Sequence, residues 1–271
     1  MTGAAPAGSM LVVGYGTMAA AMVDGWLAAA MPPSALTIYN PRPKPVPDGV
    51  EFTTELPQRP FTHVLLAFKP HMLAGAAPSL ASVFDGSTAV LSVLAGIELA
   101  QLRHHLPAAG AHVRFMPNLA AAIGKSPNVL IGCSLSDSQR ADVTRLAEML
   151  GTAEWLEREE LFDLATALAG SGPGFVYRFT DALVSGAAEL GLERAQAERL
   201  AVQMMLGAAE LAARSDHSPG ELAARVASKG GMTQAGLDVL DKGGALNGLI
   251  EATLRAARDR GAELNRPAGL R

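Results

Sequence analysis

The chain carries two short glycine-containing segments whose backbone could bind an anion. Residues 228–233 (Ser-Lys-Gly-Gly-Met-Thr) lie between two stretches of helical periodicity. Two adjacent glycines allow a turn in which several N–H groups converge on one anion, and the positive end of a following helix adds to that attraction. Thr233 would place a hydroxyl beside the anion. A plain helix–helix connection has a similar composition, so this segment alone leaves both interpretations open.

The second segment, residues 14–19 (Gly-Tyr-Gly-Thr-Met-Ala), follows a short apolar run and precedes a stretch of helical periodicity. This strand–turn–helix context is that of a dinucleotide-binding fingerprint with alanine in the third glycine position. Gly14 would allow the tight turn, and Gly16 would let a pyrophosphate approach the helix N-terminus. The alternative is a tight strand-to-helix turn that binds no ligand.

The end of the second predicted strand indicates which nicotinamide dinucleotide is used. An acidic residue there would bind the ribose hydroxyls of NAD, but this chain has Asn40, followed by Arg42 and Lys44. A missing carboxylate with cations nearby favours the additional phosphate of NADP. The same cations could be solvated loop charges. We therefore predict NADPH as the cofactor, with NADH possible.

The elements that must position these segments form two regions. Apolar runs predict strands at residues 9–13, 36–39, 63–68, 89–94, 113–116 and 129–132. Strands that are apolar throughout and alternate with helices indicate a parallel sheet covered on both faces. From Glu159 to Glu263 the pattern predicts only helices. We expect a Rossmann-type doubly wound α/β domain at residues 1–157 and an all-α domain at 158–271, whose glycine-bearing apolar helices suggest a dimer or more.

Composition excludes several classes of protein. The net charge of −4 gives no basic footprint for nucleic acid, and Cys133 is the single cysteine, which excludes a disulfide framework and a Cys-rich zinc site. His104 and His105 are adjacent and cannot chelate one ion from a helix, so we predict no metal. The N-terminus lacks a signal-peptide pattern, and Asp24 interrupts the Ala-rich stretch. We expect a cytoplasmic protein without nucleic-acid or membrane partners.

Along nearly its whole length the chain resembles the pyrroline-5-carboxylate reductases. The motifs that carry the resemblance, in chain order, are GYGTMA at 14–19, AFKP at 67–70, SVLAGI at 92–97, RFMPN at 114–118, TALAGSGP at 166–173, SKGGMT at 228–233 and LDVL at 237–240, then Gly243-Gly244. The resemblance implies NAD(P)H-dependent reduction of the cyclic imine acid 1-pyrroline-5-carboxylate to L-proline, the last step of proline biosynthesis. It also implies a helical domain that builds a homodimer, often within larger dimer-based rings.

The same resemblance implies the site residues. The expected cofactor-binding residues are Gly14, Tyr15, Gly16, Thr17, Met18, Asn40, Arg42, Phe68, Lys69 and Ala95. The substrate carboxylate would be bound by the amides of Gly230, Gly231, Met232 and Thr233, with Asp216 and Arg225 as further polar contacts. The Thr233 hydroxyl would address the ring nitrogen, which makes Thr233 the predicted catalytic residue.

Two departures from the family pattern leave alternatives open. Lys229 stands where the family usually has proline, and Leu119-Ala120 replaces a Thr-Pro pair. A reductase of a related cyclic imine acid, such as piperideine carboxylate, is therefore the alternative enzyme. A nicotinamide-binding regulatory protein without activity is the alternative outside enzymes. A β-hydroxyacid dehydrogenase is disfavoured because no helical lysine motif suited to alcohol deprotonation is apparent.

Overall fold

A computed structural model of the chain describes residues 8–264. Its strands are β1 (Met10–Val13), β2 (Leu36–Tyr39), β3 (Glu51–Thr53), β4 (His63–Leu66), β5 (Ala89–Ser92), β6 (Ala111–Met116), β7 (Ser126–Cys133) and β8 (Gly151–Trp155). Its α-helices are α1 (Thr17–Ala28), α2 (Leu73–Leu80), α3 (Leu99–His105), α4 (Asp137–Glu148), α5 (Phe162–Ala169), α6 (Gly172–Glu189), α7 (Arg194–Ala213), α8 (Pro219–Val226), α9 (Met232–Asp241) and α10 (Ala245–Leu264). None of these helices, within the residues described, is long and apolar enough to cross a membrane.

The described strands form one eight-stranded sheet in the order β3-β2-β1-β4-β5-β6-β7-β8. β1 pairs in parallel with both β2 and β4, so the chain winds outward in two opposite directions from the β1/β4 pair. This order contains the two halves of a dinucleotide-binding sheet, with the reversal of winding at its centre. The predicted doubly wound α/β architecture is confirmed.

The inner strands are largely apolar because both faces of the sheet are covered. In β1, Met10 and Val12 pack into one core cluster together with Trp26 of α1. The alternate residues Leu11 and Val13 pack into a second cluster, to which α2 and α3 contribute. Successive side chains of a strand point to opposite faces, so the four consecutive apolar residues of β1 supply two separate cores.

One pair of strands in the sheet runs in a direction that the sequence did not predict. β7 runs antiparallel to β6, whereas an entirely parallel sheet was predicted. The connection between these strands contains only a short 3₁₀ helix, Leu119–Ile123. A parallel neighbour requires a crossover of a dozen residues or more, so this connection can only return the chain in the opposite direction.

Two strands have no apolar run and were missed. β3 has three residues, of which Glu51 is exposed, and it lies at one edge of the sheet. β8 lies at the other edge, where Thr152 and Glu154 alternate with half-buried residues. An edge strand that packs on one face needs apolar residues only at alternate positions, which in so short a segment gives little signal.

Ion pairs around the buried Arg114 stabilise the packing of α5 against the sheet. Arg114 of β6 is only 3% exposed and donates to Glu159 Oε1 at 3.0 Å and to Asp163 Oδ1 at 3.5 Å. Its guanidinium lies 3.9 Å from the centre of the Phe162 ring. Glu159 also accepts from the backbone N–H of Leu99, at the start of α3. Removing one partner of such a buried pair costs about 3–5 kcal/mol, so these contacts hold α5 firmly.

The chain divides into two compact units. One contains the described residues of Met1–Ser171 and Ala257–Arg271, and the other is Gly172–Ala256. The first unit extends past residue 157 because α5 packs on β7 and its Phe162 is fully buried in the sheet core. A division by contacts need not coincide with a domain boundary. The boundary at residues 157–158 therefore stays a prediction.

The second unit has a small core and an apolar surface. Val184 of α6 packs with Ala197 and Ala201 of α7. Most large apolar side chains of these two helices remain exposed within one chain, including Tyr177 and Leu211 at 72% and 71%. So much exposed apolar surface is typical of a face that contacts another molecule.

His63, the first residue of β4, is buried and titrates far below its usual range. Its side chain is 3% exposed, and in the sheet it is flanked by Met10 and Ala89. Burial, followed by the positive charge of Arg145, lowers the pKa of His63 to about 4 from 6.5. The unfolded chain therefore binds this proton more readily. Stability is lost as the pH falls from about 6.5 towards about 4.

We expect the wild-type chain to lose about 2 kcal/mol of unfolding free energy through His63 alone between pH 7 and pH 5. His63→Gln removes this titration, so the variant should lose about 2 kcal/mol less over the same interval. Urea unfolding at the two pH values measures the difference. His71→Gln, at an exposed position, is the matched control and should follow the wild type. Equal losses in the wild type and His63→Gln would contradict the prediction.

Candidate functional site

A cavity of about 470 Å³ opens where the strand order reverses. It lies beyond the carboxyl ends of β1, β2 and β4, and residues following each of these strands line it. Six of the predicted cofactor residues are in its lining: Gly14, Tyr15, Gly16, Asn40, Phe68 and Lys69. Ligands of open α/β sheets bind at this position, because the connections on either side pass over opposite faces and leave a crevice.

Gly14 is required by both its conformation and its surroundings. Its φ of +90° lies in the region that residues with a side chain rarely adopt. A Cβ at this position would lie 2.9 Å from the carbonyl oxygen of Ala67. The Gly14 N–H donates to the Tyr39 carbonyl at 2.9 Å, which fixes the loop against β2. The tight turn after β1 therefore depends on the absence of a side chain.

Gly16 leaves open the place where a pyrophosphate would approach. It is the N-cap of α1, and no side chain in the described part of the chain caps this helix end. A Cβ built on Gly16 would meet nothing within 4 Å. The first N–H groups of α1 therefore have no intrahelical partner and face space that a phosphate could fill. This arrangement fits the dinucleotide predicted from the sequence.

Asn40 holds the glycine loop from the end of β2. Its Oδ1 accepts from the Tyr15 N–H at 3.3 Å, and its Nδ2 donates to the Arg42 carbonyl at 2.6 Å. Lys44 contacts the same residue at its carbonyl, with Nζ donating to the Tyr15 oxygen at 2.7 Å. Burial, then the charge of Asp24, raises the pKa of the Tyr15 phenol, which keeps that group neutral beside the cavity.

The remaining predicted cofactor residues lie outside the lining of this cavity. Thr17 and Met18 are in the first turn of α1, and Arg42 is an exposed residue of the proline-rich loop. Ala95 follows β5 and is exposed. The cavity has apolar lining residues that sequence reasoning missed: Leu56, Met72, Ala76 and Leu80. The last three lie in the segment after β4, Met72 in a 3₁₀ turn and Ala76 and Leu80 in α2.

The exit of β6 is ordered by Asn118. Its Nδ2 donates to the Ala169 carbonyl at the end of α5 at 3.0 Å, and its Oδ1 accepts from the Ala120 N–H at 2.8 Å. Its own N–H donates to Ser126 Oγ at 2.9 Å. Leu119-Ala120, which replaces the Thr-Pro pair usual in the family, therefore lies in a 3₁₀ turn capped by Asn118. Leu119 is 53% exposed there.

The second predicted segment forms a tight turn at the start of α9. Gly230 has a φ of +72°, which favours glycine, and the Gly231 N–H donates to the Ser228 carbonyl at 2.9 Å. Gly231 is the N-cap of α9, and here too no described side chain caps the helix. The first amides of α9 therefore remain open for an acceptor from another molecule, as a carboxylate site requires, whereas the Gly231 amide is used within the turn.

Thr233 is the second residue of α9 and is exposed, so its hydroxyl stands beside the open amides. Asp216 is exposed in the loop before α8. Arg225 contacts His217, with Nη1 2.5 Å from Nε2. Ser218 caps α8 in a reciprocal capping box with Glu221.

The other candidate groups have structural surroundings. The rings of His104 and His105 at the end of α3 are 5.0 Å apart and meet edge to face. Burial raises the pKa of the Cys133 thiol, so this cysteine is a weak nucleophile at neutral pH. Within residues 8–264, no group of three or more His, Cys, Asp or Glu side chains is arranged to hold a metal ion.

The helical segment and the whole chain both match known proteins. A family model described as pyrroline-5-carboxylate reductase dimerisation matches residues 159–264. Across both regions, the pyrroline-5-carboxylate reductase of Pseudomonas aeruginosa is 31% identical over 266 residues. The alignment covers 95% of this chain and 97% of that protein.

Two solved structures share the fold over nearly the whole chain. A pyrroline-5-carboxylate reductase from Coxiella burnetii superposes with a TM-score of 0.86 at 27% identity, covering 96% of this chain and 99% of that one. The pyrroline carboxylate reductase of Plasmodium falciparum, solved with NADP bound, gives a TM-score of 0.80 at 23% identity, covering 96% and 99%. At 23% identity, the Plasmodium falciparum structure shows a shared fold.

The two loop glycines should separate folding from dinucleotide binding. Gly14→Ala forces a side chain into a left-handed conformation and against the Ala67 carbonyl, so we expect it to lower the unfolding free energy by about 1–3 kcal/mol. Gly16→Ala adds a methyl group in open space, so it should change stability by less than about 0.5 kcal/mol. It should nevertheless weaken dinucleotide binding about tenfold or more, because the methyl occupies the phosphate's approach.

Urea unfolding measures the first effect, and calorimetric titration with NADPH measures the second. Gly16→Ala is thus the folded control for Gly14→Ala. Wild-type affinity in Gly16→Ala would show that the pyrophosphate does not lie on this loop.

Proposed function

Because the chain belongs to the pyrroline-5-carboxylate reductase family, we propose that it reduces 1-pyrroline-5-carboxylate to L-proline with NADPH, the last step of proline biosynthesis. The observation that carries the proposal is that two helix N-termini, those of α1 and α9, have glycine at the N-cap and no capping side chain. One follows β1 at the dinucleotide crevice, and the other begins α9. A reductase of an imine acid needs to hold two anionic molecules, and each of these helix ends suits one anion.

The sheet unit would hold the cofactor. Its pyrophosphate would lie on residues 14–18, its adenosine ribose near Asn40 and Arg42, and its nicotinamide half near Phe68, Lys69 and Ala95. In support, Gly16 leaves open space beside the start of α1, and Asn40 holds the loop in place. The absence of a carboxylate at Asn40 favours NADPH over NADH, because a carboxylate would repel the 2′-phosphate.

The α9 turn would hold the substrate carboxylate. Of the four predicted donors, Gly231 already donates its N–H to the Ser228 carbonyl. The amides of Gly230, Met232 and Thr233 are therefore the proposed donors, and Asp216 is a further polar contact of the substrate. The turn supports this role because Gly230 adopts a left-handed conformation and Gly231 supplies no capping side chain. A carboxylate bound to backbone amides is held in a fixed orientation, and with it the ring to which it is attached.

The reaction asks the protein for positioning more than for acid–base chemistry. The C=N carbon of a protonated cyclic imine is already electrophilic, and bound NADPH supplies the hydride that reduces it. Holding two reactants in the correct geometry can contribute roughly 7–11 kcal/mol to lowering the barrier. The Thr233 hydroxyl can accept a hydrogen bond from the ring N–H and so orient the reacting carbon. Thr233 is the proposed catalytic residue.

The chain also associates with further copies of itself, in keeping with the dimerisation model that matches residues 159–264. The exposed apolar side chains of α6 and α7 are available for that contact. We propose a homodimer, which could be built into a larger ring. The cytoplasmic location expected from the sequence stays a prediction.

Two other functions are tested by the same assay. Lys229 is exposed beside the α9 turn and stands where the family usually has proline, so a related imine acid such as piperideine carboxylate is the alternative substrate. A nicotinamide-binding regulator would reduce neither imine. NADPH oxidation should therefore be followed with each imine in turn. Faster turnover of the piperideine acid would overturn the substrate assignment, and binding of NADPH without any turnover would overturn the enzyme assignment.

Thr233→Ala should lower kcat by about 10- to 100-fold, because the ring nitrogen loses the group that orients it. The dissociation constant of NADPH should change less than about twofold, since the cofactor residues are unchanged. Thr233→Ser keeps the hydroxyl and should retain most of the activity. Steady-state kinetics and a fluorescence titration with NADPH measure both quantities. An unchanged kcat in Thr233→Ala would remove Thr233 from the mechanism.

A further inference from the structure

Positive charge at the dinucleotide cavity comes from two lysines. Of the described residues that line the cavity, Lys44 and Lys69 are charged and none is acidic. Lys69 follows β4, whereas Lys44 belongs to the loop after β2. The adenosine end of a dinucleotide lies at the end of the second strand of such a sheet, so Lys44 is the lysine on the adenosine side.

The Lys44 side chain is directed onto the glycine loop. Its Nζ donates to the carbonyl oxygen of Tyr15 at 2.7 Å, a contact between residues 29 positions apart. Asn40 contacts the N–H of the same residue at 3.3 Å. An ammonium group has three donors, so after the Tyr15 bond two remain for a ligand in the cavity.

The loop that carries Lys44 has few backbone donors of its own. Pro41, Pro43 and Pro45 alternate with the two cations, and proline has no N–H. A phosphate at the end of β2 must therefore be bound mainly by side chains. Proline also restricts φ, which limits the conformations from which Lys44 reaches the loop.

Arg42 is placed differently. Its backbone carbonyl accepts from Asn40 Nδ2 at 2.6 Å, and it is not among the residues that line the cavity. Both cations are exposed, so the cavity lining and the contact with Tyr15 are what distinguish Lys44. The resemblance to the family pointed to Arg42 as the phosphate contact. The contacts around Tyr15 instead favour Lys44 as the residue that binds the phosphate.

We propose that Lys44, rather than Arg42, is the residue that selects NADPH over NADH, by binding the 2′-phosphate of the adenosine ribose. The inference rests on the proposed function, in which this cavity holds a nicotinamide dinucleotide. Asn40 positions the loop, and Lys44 supplies the charge that distinguishes the two cofactors.

The test compares two adenosine fragments that differ by the 2′-phosphate. Full-length wild type, Lys44→Ala, Lys44→Arg and Arg42→Ala are titrated with adenosine 2′,5′-bisphosphate and with 5′-AMP by calorimetry. Lys44→Ala should bind the bisphosphate about tenfold or more weakly and change its affinity for 5′-AMP less than about twofold, because a charge-assisted contact to phosphate is lost. Arg42→Ala should weaken binding of the bisphosphate less than Lys44→Ala does, because Arg42 is outside the lining of the cavity. Lys44→Arg, which keeps the charge, should retain most of the preference for the bisphosphate.

Enzyme kinetics give the second measurement. The ratio of kcat/KM with NADPH to kcat/KM with NADH should fall about tenfold in Lys44→Ala, mainly through KM for NADPH. Unfolding in urea verifies that Lys44→Ala folds. If that variant is unfolded, Lys44→Gln replaces it in the same test. Equal loss of both fragments would assign Lys44 to the loop or to the shared 5′-phosphate and overturn the inference. A loss confined to Arg42→Ala would also overturn it.

Failure of the inference is distinguishable from failure of the proposed function. A wild-type chain that reduces the imine but uses NADPH and NADH equally would overturn the role of Lys44 alone. A wild-type chain that binds neither fragment would overturn both.

Discussion

The reversal of strand order between β1 and β4 is the constraint on which the dinucleotide site depends. α1 leaves β1 over one face of the sheet, and α2 follows β4 over the other, as their separate core clusters show. The carboxyl ends of the two strands therefore border an open cavity. Gly14 must pass close to the Ala67 carbonyl at this point, so the packing that creates the cavity also requires the glycine.

Both binding segments rely on backbone amides at helix N-termini. Gly16 and Gly231 are N-caps without a capping side chain in the described structure, whereas α4 and α8 are capped by Ser136 and Ser218. A serine at a cap satisfies amides that glycine leaves open. The chain thus caps some helix ends with a side chain, while α1 and α9 have glycine at the N-cap instead. Open ends suit a reaction that depends on orienting two anionic molecules rather than on a strong acid or base.

Much of the fold was predictable because its inner strands are buried on both faces. Residues 36–39 and 63–66 are largely apolar, and both form strands in the structure. The antiparallel direction of β7 was not predictable from apolar periodicity, since it follows from the length of the connection after Met116. β3 and β8 lie at edges, where alternate polar residues are tolerated, so neither has a continuous apolar run.

The sequence by itself determined the chemistry available at the site. It specified glycine at positions 14 and 16, Asn40 in place of a carboxylate, and the glycine pair before Thr233, because these are local requirements of turns and ligands. Only the tertiary structure decided which cation of the loop after β2, Arg42 or Lys44, lines the cavity. The register that pairs Val13 with Tyr39 brings the end of β2 beside the glycine loop, and Lys44 then reaches Tyr15 across 29 positions of sequence. Local pattern cannot specify such a contact, since it depends on strand pairing and on the reach of a side chain.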